Sequence, residues 1–375
     1  MDCIIQAFPD EFHIETLEKI LSTCAQIMLN GVDIKTIFIR LMDRLADFVA
    51  NAEEEVPSLA NLDLYDMFKK NIDRIIESQG ANLELSKFLD LQVAFLKFCS
   101  QLYPENVEYV NNILKSCCTL CQKQNAADID EDSLKNIVKL LTLPLDTLSI
   151  SVLQMDEFPK LMKYLPFMKR RQVSLKICQA VVNSAVPLDN IETVRQIIEF
   201  IRPLLRDEVD TQTLDPLEFE EEQNLVCRVI HLVTHSNPDE YFTILEEFRK
   251  QFYEGGPKRS FFTFQASFFA YVKLARYMHL CHVHRQTSEE EEETTDENAT
   301  SPAPRKIYNL KRTYYKGDFE LNLSKLYPIL KDFIEKLVPD HPDLCLKLYL
   351  EFIQIINLCD VNKDVRDFQI FLITL

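Results

Sequence analysis

Five glycines in 375 residues are too few for sheets built from short strands and tight turns. No stretch alternates polar and apolar residues at the period of a strand. Positive charge is short as well: 41 Lys and Arg stand against 59 Asp and Glu, a formal net charge of -18. Phosphate contacts need a basic footprint, so that balance speaks against nucleic acid as a partner. It also disfavours general adsorption to an anionic membrane surface. The opening residues, Met1 to Ile5, lack the basic region and apolar run of a signal peptide. No apolar run reaches the ~18 residues of a membrane span, so none is expected. The 11 cysteines show no regular spacing, and Cys24, Cys99, Cys178 and Cys345 sit among Leu, Ile and Val. Reduced thiols in a cytosolic protein are the expectation rather than a disulfide framework.

What the chain does have is apolar residues, 47% of the total, spaced for helices. The clearest stretch runs from Phe219 to His284. Leu225, Val226, Val229, Ile230 and Val233 form one helical stripe, with Glu220 to Glu222 expected in the first turn. Pro238 and Asp239 open a second helix, whose stripe is Tyr241, Ile244, Leu245, Phe248 and Phe252. Gly255 and Gly256 stop it.

The same period recurs along the rest of the chain. Stripes begin at Ile14, Ile34 and Leu64, with stops at Asn30-Gly31 and at Gly80. Phe88 to Leu102 is apolar nearly all round and is expected to be central. A helix opened by Pro104 carries Val110, Leu114, Cys117 and Cys121, and the one after it is expected to close at Pro144. Asp189, three residues before Glu192, has the spacing of a capping box. Residues 286–306 contain Glu289 to Glu293, then Thr, Asn, Ser and Pro, and read as an acidic disordered loop. About sixteen amphipathic helices on short connections predict an all-α chain, a HEAT-like α-solenoid of antiparallel helix pairs. The expected organisation is one solenoid over residues 1–375 with that loop inserted. An irregular helical bundle is the alternative, because no strict repeat is visible.

No nucleophile elbow, phosphate loop or metal box is present, and no acid, base and nucleophile converge, so the chain reads as non-enzymatic. His279, Cys281, His282 and His284 are the densest ligand-type group. His279 and His282 share a helical face, yet no second cluster completes a shell, so neither metal nor cofactor is expected. Cys117, Cys118 and Cys121 continue an apolar stripe and read as buried thiols. Ser288 precedes the acidic run and is a candidate phosphorylation site.

One further pattern concerns specific residues in order. Phe219, Glu222-Gln223, Leu225-Val226, Arg228, Ile230-His231-Leu232 and Pro238-Asp239 resemble the large subunit of retromer, an endosomal sorting scaffold. So do Arg249-Lys250, Phe252, Gly255-Gly256, Arg259, Phe262-Thr263 and Leu274-Ala275. Asp2-Cys3-Ile4-Ile5-Gln6, Phe8-Pro9-Asp10-Glu11-Phe12-His13 and Asp43-Arg44-Leu45-Ala46 extend the likeness, which covers residues 2 to 358. The resemblance implies a scaffold like that family's C-terminal half, cupping the small phosphoesterase-fold subunit of retromer in retrograde transport from endosomes. It implies cytoplasmic location, membrane attachment only through partners, self-association, and recruitment of actin-regulating complexes. The family's Pro-Arg-Leu-Tyr-Leu motif is missing, so binding of the arrestin-like subunit is not expected. The partner surface is expected at Phe219, Glu222, Arg228, His231, Arg259 and Phe262, with helices between Leu91 and Tyr109. A different helical-repeat trafficking adaptor or coat scaffold is the alternative.

Overall fold

Apolar stripes at helical spacing leave the backbone little alternative, and the computed structural model is helical over most of its described residues. It describes residues 10–27, 34–51, 63–79, 84–122, 129–206, 215–293 and 314–359. The expected stops at Asn30-Gly31 and Gly80, the resemblance before Asp10 and the end of the acidic loop lie outside them. Among the described residues there are 14 α-helices and no strand, with a single parallel bridge between Leu188 and Val233.

The chain divides into two compact units, residues 1–184 and 185–375. In the first, the helices are α1 (Asp10–Ile27), α2 (Ile34–Asn51), α3 (Leu64–Gln79) and α4 (Leu85–Leu102). They are followed by α5 (Val107–Cys121), α6 (Glu131–Leu148), α7 (Glu157–Met162) and α8 (Phe167–Ser184). The second unit holds α9 (Ile191–Leu205), α10 (Pro216–Ile230), α11 (Pro238–Tyr253), α12 (Pro257–Glu293), α13 (Leu323–Leu337) and α14 (Pro342–Cys359).

Within each unit the main helix contacts are with a neighbour in sequence or with the next helix but one. Thus α2 meets α4, α4 meets α6 and α6 meets α8; in the second unit α9 meets α11, α10 meets α12 and α12 meets α14. That is the contact pattern of stacked helix pairs. As expected, α4 is central to its unit: it buries Leu85, Phe88, Leu89, Leu91, Phe95, Leu96 and Phe98 against α2, α5 and α6. Each such side chain contributes roughly 1.5–3 kcal/mol of transfer free energy. Phe68 of α3 inserts beside it, edge-on to Phe38 at 6.1 Å and to Phe98 at 5.1 Å.

Four expectations are corrected. Helix α6 does not close at Pro144 but runs through it to Leu148; the ring is buried in the packing, which outweighs the one backbone bond it removes. With the 3₁₀ turn Ser149–Gln154, this stretch is long and apolar enough to cross a membrane, although none was expected. Half of its apolar window is buried within the protein, and it packs on α4 and α8 as a core helix. The cap of α9 is Asn190, one residue beyond Asp189, its Oδ1 accepting from the amides of Glu192 at 2.8 Å and Thr193 at 3.1 Å. Lastly, α12 continues to Glu293, so the first part of the expected acidic loop is helical backbone. Glutamate is a good helix former.

Candidate partner-binding face

The six candidate residues lie in the second unit, on α10 and the start of α12. Helix α10 begins earlier than its acidic run suggested. Asp215 caps it, accepting from the Leu217 amide at 3.2 Å, and Pro216 takes the first helical position, where its missing N–H costs nothing. Helix α12 begins after a turn that needs both glycines. A Cβ on Gly255 would lie 3.0 Å from the Leu205 carbonyl oxygen, and Gly256 has a φ of +81°.

Arg259, in the first turn of α12, is 1% exposed. Its Nε donates to the Leu204 carbonyl at 2.9 Å and its Nη1 to the Gly255 carbonyl at 3.4 Å. Gln223 Nε2 donates to the same Leu204 carbonyl at 3.1 Å and to Glu222 Oε1 at 3.1 Å. Leu204 lies in the last turn of α9, whose carbonyls lack helical donors. A cation at that end is also favoured by the helix dipole. The guanidinium sits 5.3 Å from the centroid of the Phe219 ring, and Phe219 meets Phe262 edge-on at 6.3 Å. Phe219, Glu222, Arg259 and Phe262 therefore form one cluster that ties α9, α10 and α12 together.

Two of the six are not at the surface of the unit. Glu222, 5% exposed, and Arg259 are enclosed and hold the face from beneath, because the α9 carbonyl consumes their neighbourhood's donors. Phe219 and Phe262 are half-buried at its edge. Arg228 is exposed, and nine residues at 100° each set it roughly 180° around α10 from Phe219. His231, the C-cap of α10, is also exposed. Lys273 of α12 donates to the carbonyls of His231 at 3.3 Å and Val233 at 3.2 Å, closing that helix end. Partial desolvation and then the nearby Lys273 ammonium lower the His231 imidazole pKa, keeping the ring neutral near neutral pH. Six residues expected on one surface thus divide into a buried joint, an aromatic edge and two exposed groups elsewhere on α10.

Sequence reasoning missed three anchors in the same unit. Asp239 accepts the backbone amides of Glu320 at 2.9 Å and Leu321 at 2.7 Å, fixing the segment that returns before α13. Arg249 is bidentate to Glu246, at 2.6 Å on each oxygen, and the Tyr271 hydroxyl donates to the same carboxylate. The Tyr253 hydroxyl donates to Asp332 of α13. Only the Arg249–Glu246 pair is local, three residues apart on α11; the Tyr271, Tyr253–Asp332 and Asp239 contacts join different helices or turns and leave no spacing signal.

The histidine group is occupied with aromatic rings. His284 stacks on Tyr314 at 4.1 Å and His282 lies 4.9 Å from Phe319. Among the described residues no three His, Cys, Asp or Glu side chains converge to hold a metal. Cys117, Cys118 and Cys121 are buried, and burial pushes the Cys118 thiol up to about 12 and the Cys121 thiol to about 11. Ser288 falls on the helical backbone of α12.

Comparison with known proteins adds an independent finding. The family model described as Vacuolar protein sorting-associated protein 35 matches residues 1–374. Vacuolar protein sorting-associated protein 35 of Dictyostelium discoideum is 31% identical over 376 residues, covering 99% of this chain and 45% of that relative. Vacuolar protein sorting-associated protein 35C of Arabidopsis thaliana is 29% identical over 372 residues, covering 98% of this chain and 43% of that relative. The chain spans less than half the length of these curated relatives.

Proposed function

This chain belongs to the vacuolar protein sorting-associated protein 35 family, and from that premise we propose that it is a non-catalytic scaffold of a retromer-type sorting complex. It acts in retrograde transport from endosomes, and it corresponds to the part of the large subunit that binds the small phosphoesterase-fold subunit. The observation that carries the reading is the family match over residues 1–374, joined to paired helices in each unit that offer side-chain surface rather than a convergent reactive site.

The contact surface in this reading comprises Arg228, His231 and the aromatic edge at Phe219 and Phe262, with Glu222 and Arg259 supporting that edge from below. Arginine and aromatic groups are the types enriched at such interfaces. The protein reaches membranes through its partners, self-associates and recruits actin-regulating complexes. Phosphorylation at Ser288 adds negative charge beside the acidic run.

Co-elution tests the central part. The purified chain mixed with the small subunit from the same organism should run as a one-to-one complex by light scattering. Arg228→Glu should weaken it at least tenfold if Arg228 is a buried contact, about 1.4 kcal/mol. Separate elution of two folded proteins would refute the reading.

A further inference from the structure

Three tyrosines of the first unit meet where the turn between α4 and α5 passes the start of α3. The turn is fixed locally. Tyr103 precedes Pro104, which disfavours helical backbone, and its φ of -132° and ψ of 61° end α4. Asn106 then caps α5, its side chain accepting from the Tyr109 amide at 3.1 Å. Asp63 opens α3 in the same way, accepting from the Asp66 amide at 3.0 Å.

Tyr65 of α3 stacks on Tyr109 of α5, with centroids 3.7 Å apart and 6° between the planes. Tyr103 stands at 87° to Tyr109, 5.3 Å away. Tyr65 is buried, whereas Tyr103 and Tyr109 are half-buried. Tyr103 forms one wall of an open pocket of about 510 Å³, lined also by Pro104, Glu105, Asn106 and Val107. Four exposed carboxylates accompany the rings: Asp63, Asp66, Glu105 and Glu108. Among the described residues none of the four is in an ion pair. Burial and then the Asp63 carboxylate raise the Tyr103 hydroxyl pKa, and burial and then Asp63 and Asp66 raise that of Tyr109. Helix dipoles account for Asp63, Asp66 and Glu108, since each stands at the start of a helix. They do not account for Glu105 in the turn, nor for two tyrosine rings left part-open beside an acidic rim.

A tyrosine face attracts a cation, and a planar guanidinium can lie flat on it. Carboxylates bind the same group through charge-assisted hydrogen bonds. We propose that this pocket is a recognition site for an arginine side chain of a partner polypeptide. The guanidinium lies against Tyr103, Glu105 and Asp63 meet its charge, and its methylene stem runs along Pro104 and Val107. The site belongs to the first unit and stands whether or not the chain carries the small subunit.

Saturation-transfer NMR of the purified full chain with acetyl-arginine amide tests this. Saturation of the arginine methylenes is expected, and acetyl-citrulline amide, the uncharged isostere, should give far less. Tyr103→Ala should weaken arginine binding about two- to fivefold, the range of a partly exposed cation–π contact. Glu105→Lys, on an exposed turn where the fold is undisturbed, should weaken it at least as much. Equal binding of the citrulline compound would overturn the proposal in favour of an apolar patch. Arginine binding unchanged by both variants would overturn it in favour of general attraction to an acidic chain.

Discussion

Arg259→Ala should damage stability far more than a surface substitution, and the size of the loss follows from its partners. The side chain donates to two carbonyls, those of Leu204 and Gly255, and lies against the Phe219 ring. Hydrogen bonds from a charged donor contribute about 1.5–3 kcal/mol each, and a desolvated cation–π contact adds about 1–2 kcal/mol. Removing a buried charge recovers some desolvation cost, and Gln223 still serves the Leu204 carbonyl. The net expectation is roughly 3–4 kcal/mol. For a unit of this size that is a fall in melting temperature of about 10 °C. Arg259→Lys keeps the charge but lacks the planar fork, and should lose about half as much. The assay is urea and thermal unfolding followed by far-ultraviolet circular dichroism. A loss under 1 kcal/mol would refute the buried-joint account. So would a stable Arg259→Ala protein that fails to bind its partner, because Arg259 would then be a contact.

Four other substitutions have definite outcomes. Gly256→Ala forces a side chain onto φ of +81° and should cost about 1–2 kcal/mol, while Gly255→Ala meets the Leu205 carbonyl oxygen at 3.0 Å and should cost at least as much by unfolding midpoint. Asp239→Ala removes the acceptor of the Glu320 and Leu321 amides, so hydrogen exchange at those two amides should accelerate while α13 stays protected; unchanged exchange would contradict the anchoring role. Glu246→Gln bears on pH: burial works to raise the carboxyl pKa, but hydrogen bonds from Arg249 and Tyr271 outweigh it and hold the value below the usual glutamate range. Its stabilisation is then fully present above the unfolded value and lost as pH falls through the depressed folded one. The gap between wild type and Glu246→Gln should be constant at neutral pH and shrink in acid below about pH 4, and a gap that widens in acid would refute the assignment.

Helix existence was legible because the stripes are regular and the breakers few. The helix opened by Pro238, capped by Asn237 and stopped at Gly255-Gly256, matched because its punctuation is local. Pro144 misled because sequence shows the lost backbone bond but not the packing that keeps the helix going. The candidate site was less legible. Phe219, Glu222, Arg259 and Phe262 do meet, yet which of them face outward depends on Leu204, 55 residues before Arg259. No spacing rule reaches that far. The Asp239 anchor was hidden for the same reason, since its partners lie 81 and 82 residues away.

A calorimetric titration of the purified chain with the small phosphoesterase-fold subunit tests the scaffold claim most directly. Saturable one-to-one binding, weakened by Arg228→Glu and unchanged by a folded Arg259→Lys protein, is the predicted result. No heat of binding from a folded, helical sample would contradict it.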